Sequence, residues 1–185
     1  MSRPVSPTRI YCLRVCLEGT DPMVWRQVEV AGGITLAWLS VLCHLAMGWT
    51  DLHHAQFSVK KRAMTLPGPE AGRQLKNLGL EAGEAFHWVH DMGQGWNHLI
   101  QVEAIHPPLP GVKYPRLIAG SGPCPGPGDE DANEYLASGS RSENGPHFDP
   151  EIAWIESSRI GDSVPFQLAV TAHKVARLFK ARCYA

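Results

Sequence analysis

No run of 18 apolar residues occurs in the 185-residue chain, so no segment is expected to cross a bilayer as a helix. Net charge is equally absent: 17 Lys and Arg stand against 18 Asp and Glu, which excludes the basic footprint of a general polyanion binder. Cysteine is sparse, five in all, an odd number with no C-x-x-C spacing, so neither a disulfide framework nor a structural zinc site is expected. Cys12, Cys16 and Cys43 read as small buried apolar residues, and Cys124, between prolines, as the one thiol open to reaction. There is no H-E-x-x-H, no G-x-x-x-x-G-K-[ST] and no internal repeat, and Gly93-Gln94-Gly95 is too short to cradle a nucleotide phosphate. Met1-Ser2-Arg3-Pro4 lacks the apolar core of a secretory signal, which sets the expectation of a cytoplasmic protein without membrane association.

Turn formers, by contrast, are plentiful. The 15 prolines and 18 glycines concentrate between residues 67 and 128, marking a loop-rich half. Ahead of it the patterning is regular. Residues 9–18 are β-branched, aromatic and uncapped, as a strand requires. Gly19-Thr20-Asp21-Pro22 is a turn, and Val24, Arg26, Val28 and Val30 then alternate against Trp25, Gln27 and Glu29 as a return strand. Thr35 is placed to cap a helix running to about Met47, with Leu36, Leu39, Leu42, Cys43 and Ala46 on one face and Gly48 as its stop. A strand restarts around Phe57 and Val59. Residues 60–85 are weakly patterned, with Lys60-Lys61-Arg62 as a solvated run and Pro67-Gly68-Pro69 as a loop. Hairpin, helix and strand in that order predict an α+β domain with a β-grasp-like opening, a mainly antiparallel sheet, a central hairpin and a C-terminal helix.

The central hairpin is the one dense polar constellation. Phe86, Trp88 and His90 alternate with His87, Val89 and Asp91, Gly93 and Gly95 supply the turn, and Leu99, Ile100 and Val102 continue on the far side. The turn gathers Asp91, Gln94, Trp96 and His98. From Asp129 to Glu151, seven acids face only Arg141, the pattern of a solvated loop. Residues 172–182 have helical spacing with Lys174, Arg177, Lys180 and Arg182 and no acid, a basic helix that packs on the body or reaches a protein or nucleic-acid partner.

Trp25-Arg26, Ala46-Met47-Gly48-Trp49-Thr50-Asp51 through His53 to Phe57, and Asp91 to His98 followed by Glu103 together resemble the Ri-plasmid open-reading-frame-three-like proteins, also known as passenger TnpR-like proteins of an insertion element. The resemblance continues through Tyr114-Pro115, Gly120, Cys124-Pro125, Glu134-Tyr135-Leu136 and Phe148-Asp149-Pro150-Glu151. It covers residues 8–155, leaving 156–185 as an extension carrying the basic helix. It implies a compact α+β domain frequent on plasmids and mobile elements. No serine nucleophile with the arginine set of a serine recombinase is present. The chain departs from the family pattern in three places. Gln94 stands where a second acid is usual, Ala55 where a second histidine is, and Gly126-Pro127-Gly128 where Pro-Glu-Asp is.

Two functions compete for these residues. A non-catalytic accessory or binding protein would use Trp49 and Trp96 as contact aromatics and the basic tail as a partner surface. A metal-dependent hydrolase would take His53, Asp91 and His98 as ligands with an acid such as Asp129 as base. A divalent ion is the one cofactor the hairpin residues suit, and the replacement of an acid by Gln94 weakens that set. The accessory reading is therefore preferred, with no cofactor expected. Cys124 paired with His98 or His147 is a weaker nucleophilic alternative.

Overall fold

The first strand, β1 (Ile10–Leu17), is buried at nearly every position and needs a partner on both edges. The computed structural model describes residues 8–49 and 54–122. In it β1 lies between β2 (Trp25–Ala31) and the 11-residue β6 (Trp96–His106), antiparallel to both. The other strands are β3 (Ala55–Val59), β4 (Arg62–Leu66), β5 (Ala85–His90) and β7 (Arg116–Ser121). They form one seven-stranded sheet in the order β4-β3-β5-β6-β1-β2-β7. Every pairing is antiparallel.

This overturns the predicted α+β, β-grasp-like architecture. Among the described residues the chain is mostly sheet, with a single α-helix and two short 3-10 turns at Pro69–Gly72 and Leu75–Leu78. In a β-grasp opening the strand after the helix would return to the first hairpin. Here β3 pairs instead with β4 and β5, because both edges of β1 are already taken by β2 and β6. The predicted C-terminal helix and the boundary between residues 155 and 156 lie outside the described residues.

The helix α1 (Leu36–Met47) follows its local signals closely. Thr35 is extended, and its Oγ1 accepts a hydrogen bond from the Trp38 amide at 3.3 Å. Gly48 closes the helix in the left-handed region at φ 96°, where a side chain would be strained. Replacing Thr35 with Ala removes an acceptor for an otherwise orphaned helix amide. We expect a loss of about 1 kcal/mol in chemical denaturation, and an unchanged midpoint would show that the cap is dispensable.

Alternation decides which sheet face α1 covers. Leu13 and Val15, Val28 and Val30, Phe57, Phe86 and Trp88, and Ile100 and Val102 are all buried with Leu36, Leu39, Leu42, Cys43 and Met47 of the helix. Trp88 adds a polar tie, its Nε1 donating to Ser40 Oγ at 3.1 Å. Burial of side chains of this size contributes about 1.5–3 kcal/mol each. Gly32, after β2, is required by close approach, since a Cβ there would lie 2.7 Å from the Tyr11 ring.

The β3–β4 hairpin has its first strand where the sequence restarts one, around Phe57 and Val59, and its second in the stretch that reads as weakly patterned. Its turn is made by Lys60 and Lys61, both with positive φ (47° and 67°), a conformation normally signalled by Asn-Gly or Asp-Gly. Two of the three cations of this run also pair within the chain, Lys60 with Glu84 at 3.2 Å and Arg62 with Glu70, and all three side chains are exposed, as a solvated run requires.

Candidate functional site

The β5–β6 turn spans only 91–95, and this changes the meaning of the hairpin. Trp96 and His98 are strand residues, with His90 opposite Trp96 and Trp88 opposite His98. Alternation therefore sends Trp88, His90, Trp96 and His98 to the helix-covered side, and all four are buried. From above, α1 contributes the buried His44, and Trp49, just past the helix stop, packs over the strand residues as a half-buried lid. Trp49 stacks on His90 with ring centroids 4.6 Å apart and meets the ring of His98 edge-on at 5.5 Å. His44 lies 4.7 Å from His90, and Trp88 lies 4.6 Å from His98. Three imidazoles and three indoles are thus interlocked at one end of the core. Trp49 and Trp96 do come together, with centroids 6.2 Å apart.

His98 is the electrostatic centre of this cluster. Its Nδ1 lies 3.0 Å from the Trp96 carbonyl, which can only accept, so the neutral ring carries its proton on Nδ1. The Nε2 atom is then a bare lone pair, buried and without a hydrogen-bond partner among the described residues. Burial pushes the His98 pKa down to about 3, helped by the neighbouring His90, while the Trp96 and Trp88 backbone pulls the other way and loses. At neutral pH His98 is an uncharged ring that does not exchange protons in the working range of a general acid or base.

Asp91 has a different role. At φ 49° it occupies the left-handed region, and its Oδ1 accepts hydrogen bonds from the Gly93 amide at 3.0 Å and the Gln94 amide at 3.4 Å. This is the local bonding that makes Asp a turn former. Gln94 in turn accepts from Trp96 Nε1 at 2.9 Å, so the residue standing where the family pattern has an acid secures a buried indole. Asp91 belongs to the turn and His98 to the covered face of the strand. His53 lies outside the described residues. Among the described residues no group of three His, Cys, Asp or Glu side chains is placed to hold a metal ion. Cys124, His147, Asp129, Lys174, Arg177 and Lys180 are also outside them. Of the cysteines that are described, burial raises Cys12 to about 11 and Cys43 further, which leaves both poor nucleophiles at neutral pH.

Sequence reasoning missed two participants and undervalued a third. His44 sits four residues after Ser40 and three before Met47, a spacing that places it on the buried helix face although its polarity argues against it. His90 was legible only as one member of an alternating strand. Arg26 was read as a strand residue, and it is 1% exposed. Its guanidinium donates from Nε to the Ala46 carbonyl at 3.0 Å, from Nη1 to the Trp25 and Ser121 carbonyls at 2.7 Å, and from Nη2 to the Gly122 carbonyl at 3.0 Å. It joins the carbonyl end of α1 to the end of β7.

The opposite sheet face carries Glu103. The pairing of β1 with β6 skips from Cys12–Ala104 to Leu13–Val102, leaving Glu103 as the extra residue of a bulge. Burial works against its ionisation, but hydrogen bonds from Arg14 and Gln27 outweigh it and hold the carboxyl below its usual range. Arg14 also lies over the Trp25 ring at 4.1 Å. The residues that carry the resemblance, Trp25, Arg26, Trp49, Asp91 to His98 and Glu103, thus each hold a distinct structural position around β1, β2 and β6. A model of the plasmid pRiA4b ORF-3-like proteins matches residues 9–137. The chain belongs to this family.

Two further proteins are similar to this chain. The uncharacterized protein y4hQ of Sinorhizobium fredii (strain NBRC 101917 / NGR234) is 32% identical over 122 residues, which is 61% of this chain. The match spans 62% of the length of y4hQ. The crystal structure of MM3350 from Methanosarcina mazei Go1, a protein of unknown function, superposes with a TM-score of 0.64 at 20% identity, covering 84% of this chain and 94% of MM3350. At that identity the likeness is one of fold.

Proposed function

We propose that this ORF-3-like protein is a non-catalytic, cytoplasmic accessory or binding protein associated with plasmids or mobile elements, and that it needs no cofactor. One observation carries the reading. Asp91 and His98, the acid and the imidazole of the hairpin constellation, are separately committed to architecture, the carboxylate to turn amides and the imidazole to a buried, neutral ring. A hydrolytic site would need such groups converging on an open position for water. No helix among the described residues is long and apolar enough to cross a membrane. The partner surface belongs to the basic stretch with Lys174, Arg177 and Lys180, whose charge pattern suits a nucleic acid or an acidic protein face.

The test is elemental analysis of the native protein and of His98→Ala and Asp91→Ala, run beside binding of a DNA duplex at increasing salt. We expect no stoichiometric metal, together with duplex binding that falls steeply with salt and is lost in the triple variant Lys174→Glu, Arg177→Glu, Lys180→Glu. About one equivalent of a transition metal, present in the native protein and lost in both single variants, would replace this reading with a metal-dependent hydrolase.

A further inference from the structure

We draw no further inference here: the strongest candidate, the exposed Met23 and Met92 in the turns of the β1–β2 and β5–β6 hairpins, is a pair of apolar side chains for which nothing in the structure shows what covers them.

Discussion

Lowering the pH from 7 to 5 destabilises the protein by about 2 kcal/mol through His98 alone, and by about 3 kcal/mol at pH 4. The sign follows from the direction of the shift. An unfolded histidine titrates near 6.5, whereas burial holds folded His98 at about 3. The folded state therefore binds fewer protons, and stability is complete above 6.5 and lost progressively as the pH falls toward 3. The side chain is fully enclosed, so solvent screening does not reduce the effect. Carboxylates held low in the fold, Glu103 among them, add their own loss only as the pH falls below the unfolded value of 4.5. The interval from 6.5 to 5 thus isolates the histidine contribution. Urea denaturation at half-unit steps of pH would measure it in the native protein and in His98→Asn, whose amide can still donate to the Trp96 carbonyl. The variant is expected to start less stable, because it leaves space among Trp49, Trp88 and His90, yet to be flatter between pH 7 and 5. Parallel curves for the two proteins would show that His98 is not the titrating group.

Replacing Arg26 with Met is expected to cost about 3 kcal/mol, since the buried Ala46 carbonyl and the part-buried carbonyls of Ser121 and Gly122 lose their charged donor. Methionine fills much of the volume, so the loss reports on hydrogen bonding more than on packing. Arg26→Lys keeps the charge near the carbonyl end of α1 but offers a single ammonium in place of a planar fork with three donating nitrogens. We expect it to recover less than half of the stability. Against the roughly 5–15 kcal/mol typical of a folded domain, the methionine variant stands close to the limit of folding. Hydrogen exchange should show where the damage falls, with faster exchange in the last turn of α1 and in β7 and little change in β3 and β4, which Arg26 does not touch. A methionine variant within about 1 kcal/mol of the native protein would mean that water takes over the guanidinium's role.

Local chemistry was readable where a single element could express it. The limits of α1 follow from Thr35 and Gly48, the facing of β2 and β5 from strict alternation, and the β5–β6 turn from Asp91 and its glycines. The family membership was also carried by residues in order along the chain. Where the turn ended was harder. Gly95 is the last residue with turn geometry, and the polar sequence Trp96-Asn97-His98 conceals a strand whose alternate residues are buried. Lys60-Lys61 forms a positive-φ turn without the residues that usually announce one.

By itself the sequence determined the periods, and hence which side chains of each strand and helix seek the core. Only the tertiary structure decided which edges meet. The near-continuous apolar run of β1 demands burial on both faces but carries no mark of whether β3 or β6 lies beside it, so the β-grasp-like expectation failed at that step. The same holds for the site. His44, His90 and His98 lie on three elements, and nothing in their spacing along the chain specifies that Trp49 brings them under one lid. Nor could Arg26 be assigned its partners, because its acceptors are backbone carbonyls, which every residue possesses and no residue type identifies.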